Sequence, residues 1–266
     1  MDTIGLLDEA LKKCSATKFT GVLRVAGEPG GTMHLAAGGI AACETPGAPS
    51  LEVILLRSRL ISEEDWDAAF AASATVGRPM TTELIDRELL GAGELEALLR
   101  ITIADSVFAL VSGTIDSSST EERPVDCLLP LDPAARPGWL LAEAMRRAQV
   151  LASFQGPAIG VRDHVAAAPR AAGNSTDDIL ALADGRRTAR DLAFVLGRGL
   201  YATLLLLTRM RAEDLVVVSA SRGAPSAPPK RATRLPQRHK DRASASRTDT
   251  SAMLRPRTEG KTKPTR

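Results

Sequence analysis

Histidine and cysteine carry most of the chemistry that spacing alone can reveal, and this 266-residue chain has three of each. His34, His164 and His239 lie in three separate stretches, and Cys14, Cys43 and Cys127 are equally dispersed. A zinc site needs thiolates or imidazoles in close pairs, and a disulfide framework needs an even, clustered set of cysteines. Neither pattern occurs. No motif sets a nucleophile, a base and an oxyanion donor in one recognisable context, so the residues point away from an enzyme, a metal or a cofactor. His34 falls in a strand pattern and reads as a surface residue or one with its hydrogen bonds satisfied. Cys14 and Cys43 suit small core positions, and unpaired thiols fit a reducing cytoplasm. Aromatic residues make up only 3% of the chain, which argues against a base-stacking platform or an aromatic-lined pocket.

The elements that would position such residues follow from periodicity. Residues 2–14 place Ile4, Leu7 and Leu11 at helical spacing. Residues 19–44 then alternate apolar and polar and should form a three-stranded antiparallel meander, with Gly38-Gly39 supplying a primed turn. Residues 51–104 read as helices with an internal repeat of 29 residues, in which Leu55–Ile61 is echoed by Leu84–Leu90. Ser62 and Asp65 have capping-box spacing. Asp105–Thr114 is an apolar run that either completes this bundle or returns as a strand, and 117–123 reads as a polar loop. Trp139–Ser153 is a helix with Leu140, Leu141, Ala144, Ala148 and Leu151 on one stripe. Residues 155–173 are rich in Gly, Ala and Pro without a sustained period, as a linker would be.

The stretches Thr20-Gly-Val-Leu, Gly31-Thr-Met-His-Leu and Gly39-Ile-Ala-Ala-Cys, with Leu140-Leu-Ala-Glu-Ala-Met-Arg-Arg147, resemble the bacterial PatA-like N-terminal domain over residues 1–153. That resemblance implies a non-enzymatic domain found in signalling proteins beside response-regulator, GTPase-associated or DNA-binding modules. The helical repeat is also similar to the N-terminal nucleotide-binding domain of type II secretion ATPases, which can bind cyclic di-GMP. Here Ser50-Leu51-Glu52 and Pro79-Met80-Thr81 replace the Arg-Leu-Gly triplets of that family. Arg59 and Glu88 stand where it has glycines. Side chains at these positions would block a guanine or phosphate, so cyclic dinucleotide binding is not expected.

A second set of signals lies further along. Thr176–Ala183 reads as a helix ended by Asp184-Gly185. Thr188 caps a second helix with Asp191 at the capping-box position, and Gly197 supplies a tight turn. A third helix runs from about Gly199 to Met210, and Leu215–Val218 reads as a strand. This is the order of a winged helix-turn-helix. Its third helix would show Tyr201, Thr203, Thr208 and Arg209 to solvent, with Arg198, Arg209 and Arg211 neutralising phosphates. Stretch 175–218 itself is charge-neutral, with six basic and six acidic residues. Residues 221–266 carry 13 basic and 3 acidic side chains, leaving 21 and 29 in residues 1–220. Lacking large apolar residues, this basic tail cannot offset its chain entropy and should be disordered.

The sequence thus implies an α+β protein in four parts. They are a PatA-like regulatory domain (1–153), a linker (154–173), a separate winged-helix-like domain (174–218) and a disordered basic tail (219–266). The expected role is transcriptional or signalling control in the cytoplasm through DNA contact by Arg198, Tyr201, Thr203, Arg209 and Arg211. The alternative is a protein-interaction scaffold that does not touch DNA. No run approaches the 18 or so apolar residues of a membrane span, so no membrane partner is expected.

Overall fold

The computed structural model describes residues 3–154, 156–173 and 178–219; the stretch expected as a basic tail lies outside them apart from Ser219. Its first helix, α1 (Thr3–Ala16), buries Leu7, Leu11 and Cys14, three positions spaced by one helical turn each. Strands β1 (Gly21–Glu28), β2 (Gly31–Ala36) and β3 (Gly39–Glu44) follow as the expected meander. The primed turn sits one residue earlier than the Gly-Gly pair implies. Ala37 and Gly38 take the positive φ values (47° and 82°), and Ala36 pairs with Gly39.

The paired repeats form α2 (Leu51–Arg57), α3 (Glu63–Val76), α4 (Met80–Asp86) and α5 (Ala92–Val111). Both copies turn in the same way. Arg59 and Glu88 adopt left-handed φ values of 59° and 58°. The amides of Leu60 and Ile61 then donate to the carbonyl of Leu55, as those of Leu89 and Leu90 do to Leu84. The chain returns as β4 (Thr114–Glu122), antiparallel to β1, giving a sheet of order β3-β2-β1-β4. The stretch 117–123, expected as a loop, is mostly this edge strand. It is exposed along nearly all its length, so it shows no apolar alternation to read. Residues 123–136 cross the sheet beside β3, where the Leu131 amide donates to Ala41 and Ala135 bridges Ile40.

Helix α6 (Pro137–Ala152) buries Leu140, Leu141, Ala144, Arg147 and Leu151. Arg147, not Ala148, occupies the inward stripe, because Ala148 faces solvent. The expected linker is also structured. It holds β5 (His164–Ala167), the central strand of a second sheet flanked by β6 (Asp184–Thr188) and β7 (Val216–Ser219). Residues read as the end of a helix, Asp184-Gly185, therefore open a strand. Between these strands lie α7 (Asp178–Leu182), α8 (Ala189–Leu196) and α9 (Leu200–Ala212). The Thr188–Asp191 capping box is present in both directions.

The expectation of a separate domain at 174–218 gives way. All described residues fall in one compact unit, and Leu192, Leu200, Leu204 and Leu207 belong to the same hydrophobic core as Leu55, Leu99 and Ile103. Gly197, at the α8–α9 turn, shows why. Its φ is 60°, and a Cβ there would come within 2.6 Å of Arg57 Cβ and of the Ser58 amide nitrogen. The turn is seated directly on the end of α2. Gly197→Ala should therefore cost the whole molecule about 1–3 kcal/mol through left-handed strain alone. The check is a lower urea midpoint in a single transition followed by Trp66 fluorescence; a midpoint that stays put would show that the turn does not bear on the body.

Candidate functional site

Helix α9 has no side-chain cap of its own at Gly199. Its free amides meet a carboxylate from elsewhere in the chain: the Tyr201 amide donates to Asp105 Oδ2 at 3.4 Å. A Cβ at Gly199 would come within 2.7 Å of that same oxygen, so a larger residue would force the Asp105 carboxylate or the helix to shift. Asp105, on α5, is 2% exposed. Its other oxygen accepts from Arg147 Nη1 of α6 at 2.5 Å, and Arg147 Nε donates to Glu143 Oε1 at 2.9 Å. Arg146 completes the group with two bonds of 2.7 Å to Glu143. The Arg147 guanidinium lies 4.9 Å from the Tyr201 ring centre, and the Phe108 ring meets Tyr201 edge-on at 6.0 Å.

These contacts settle where the residues expected to touch DNA lie. Tyr201 packs against Phe108 and Arg147, facing the body. Thr203 is 1% exposed and its hydroxyl donates to the Gly199 carbonyl; Thr208 is likewise buried. Arg211 donates to the Pro157 carbonyl. Only Arg198 and Arg209 are on the exposed surface. The structure therefore does not bring the five together: Tyr201 packs on Phe108 and Arg147, Thr203 is buried, and Arg211 bonds to Pro157.

Burial pushes the Asp105 carboxyl above its ordinary range, while Arg147 and the α9 amides pull it back. Glu143 moves the other way, held down to about 2, first by its hydrogen bonds from Arg146 and then by Arg147, against some desolvation. A carboxylate depressed in the folded state stabilises fully above its unfolded value near 4.5, and that contribution is lost as pH falls toward 2. Urea unfolding at stepped pH should show Glu143→Gln less stable than wild type at neutral pH, with the gap closing between about pH 4.5 and 2. A constant gap across that range would remove Glu143 from the ion network. Arg147→Ala leaves Asp105 buried without its cation and should cost about 3–5 kcal/mol.

A second constellation lies on the outer face of the first sheet. Arg24, His34 and Glu44 come from adjacent strands, roofed by residues 123–130 and walled by the α3–α4 junction at Ser73 and Gly77–Met80. Together they line an open cleft of about 730 Å³. His34 is 4% exposed. Its Nε2 lies 3.9 Å from Glu44 Oε1, and its Nδ1 has no hydrogen-bond partner. The strand placement expected for His34 holds, but the residue is neither on the surface nor satisfied, because the 123–130 segment covers it. Burial lowers its pKa, with Arg123 and Arg24 adding to this and Glu44 and Asp126 opposing it. The ring is neutral near pH 7.

Arg24 is held by Glu121 at 3.2 Å, and Arg78 by Asp86 at 2.6 Å and Glu83 at 3.5 Å. Arg123 instead has a buried Nε with no hydrogen-bond partner. The Cys127 thiol is pushed up to about 11 by burial and then by Glu44 and Asp126, so it is protonated and a poor nucleophile. A neutral imidazole, a protonated thiol and guanidinium groups make a cleft suited to holding a ligand. Sequence periodicity put His34 on a strand but gave no sign of its roof, because residues 123–136 form an irregular segment whose anchors, the backbone bonds to β3 and the buried Leu131 and Ala135, make no periodic pattern.

Among the described residues no cluster of three His, Cys, Asp or Glu could hold a metal, and no single helix is long and apolar enough to cross a membrane. Comparison with known proteins gave no matching family model, no matching characterised protein and no matching solved structure.

Proposed function

We propose that this chain is a non-enzymatic regulatory protein of the bacterial cytoplasm that acts as a protein-interaction scaffold, built around a PatA-like domain. The observation that supports this reading is that two residues of the expected DNA-contact set are taken up within the protein: Tyr201 meets Phe108 of α5 edge-on, and Thr203 is buried with its hydroxyl donating to the Gly199 carbonyl. A helix used this way does not offer those side chains to a DNA groove.

The paired repeats offer a surface instead. Residues 51–111 contain 5 basic and 11 acidic side chains, so they hold most of the negative charge of the folded body. Leu60, Phe70, Val76, Ile85 and Ile101 are exposed among them. Acidic charge interspersed with exposed apolar side chains suits a basic protein surface with apolar anchors.

A second reading, DNA contact, keeps one favourable observation. The order β5-α7-β6-α8-α9-β7 is winged-helix-like, and Arg198 and Arg209 are exposed on it. Here phosphate contact would come from these two arginines and the basic 221–266 stretch.

The two readings separate in one comparison on the full-length chain. Asp67→Lys with Phe70→Glu alters the exposed face of α3, and Arg198→Glu with Arg209→Glu reverses the only two α9-region cations of the expected set that face solvent. The scaffold reading expects the first variant to lose a partner retained from source cells by on the order of tenfold, as for a disrupted hot spot. It expects the second to leave affinity for duplex DNA unchanged. DNA affinity that collapses in the arginine variant, with every retained protein unaffected by the α3 variant, would replace it with the DNA reading.

A further inference from the structure

We infer that the cleft roofed by residues 123–130 is a binding site for a small zwitterion, a free α-amino acid, with Arg123 and His34 receiving its carboxylate and Glu44 and Asp126 its ammonium. This goes beyond the scaffold reading and does not depend on it.

The inference starts from an unmet cost. A buried polar atom without a partner loses its hydration and gains nothing in return, so such atoms are rare and call for an occupant. Two residues that line the cleft each carry one: His34 at Nδ1 and Arg123 at Nε. His34 is more than nine-tenths buried and lines the cleft, and four charged residues act on its ring at once: Glu44, Arg123, Asp126 and Arg24. His34 is thus the point where these charges converge.

The ledger of charges then selects the ligand. Arg24 and Arg78 are already paired with Glu121 and with Asp86 and Glu83. Among the described residues the Glu44 and Asp126 carboxylates accept no hydrogen bond, and Glu44 lies no closer than 3.9 Å to His34. What remains is an unsatisfied guanidinium nitrogen and two solvent-exposed carboxylates on residues that line the same cleft. A simple anion would suit Arg123 but face both acids, and a simple cation would suit the acids but face Arg123. A molecule carrying both groups a few ångströms apart meets both demands. The neutral His34 ring can place its proton on Nδ1 and donate to the ligand carboxylate, beside the Arg123 Nε–H. At about 730 Å³ the cleft also has room for a side chain beyond the zwitterionic head.

The test titrates the full-length protein with the twenty free amino acids by isothermal calorimetry, alongside acetate, inorganic phosphate, an N-acetyl amino acid and an amino acid amide. A free amino acid is expected to bind, with Arg123→Gln and Asp126→Asn each weakening it by on the order of tenfold or more. Both positions lie on the covering segment and outside the core, so folding should survive. The His34 ring ¹⁵N signals should shift on binding, reporting the new partner at Nδ1. Binding of acetate or phosphate as tightly as any amino acid would overturn the zwitterion assignment. Absence of binding by every probe, or binding that both variants leave unchanged, would mean that water satisfies His34 and Arg123 and that the cleft is not this site.

Discussion

One buried carboxylate organises the second half of this molecule. Asp105 has two oxygens and almost no water, so each must be answered from within the protein. Arg147 of α6 answers one and the N-terminus of α9 answers the other. A helix N-terminus carries partial positive charge and unpaired amides, so a carboxylate there satisfies both the field and the hydrogen-bond demand. Because the three groups come from three helices, none can shift alone. Gly199 lets α9 come close without displacing the carboxylate, and Tyr201 stacks under the arginine that completes the pair.

That constraint decides what the second sheet and its helices can do. The order of elements along residues 164–219 says nothing about which face of α9 is free. The ion network turns Tyr201 toward α5 and α6, and intrahelical bonds from Thr203 and Thr208 tie up hydroxyls that a groove contact would need. Gly197 on α2 adds a second fixed point. The result is a single core shared by the C-terminal elements and the helices of the first half.

Much of the fold was legible where a local signal fixes local structure. The Thr188–Asp191 box, the helical stripe of α1 and the alternation of β1 to β3 each specify their element within a few residues. The 29-residue repeat went further, since Arg59 and Glu88 take the same left-handed turn despite their different side chains. What failed was long-range. Strand β4 is polar because it is an exposed edge paired on one side, so alternation never marks it. Strand β5 hides in a Gly- and Ala-rich stretch because four residues between two neighbours need little side-chain patterning. Asp105 reads as one polar residue in an apolar run, and nothing nearby in sequence names its partner 42 positions away. His34 was placed correctly on its strand, yet its roof is an irregular segment anchored at residues 131 and 135, where isolated buried positions make no periodic pattern.

The most direct measurement is native-state hydrogen exchange of the amides of Leu204 and Leu207 in α9, compared with Leu99 and Ile103 in α5. If Asp105 and Arg147 bind α9 into the common core, all four exchange only through global unfolding, with the same opening free energy and the same denaturant dependence. Exchange of the α9 amides through a cheaper, separate opening, while α5 stays protected, would contradict the account.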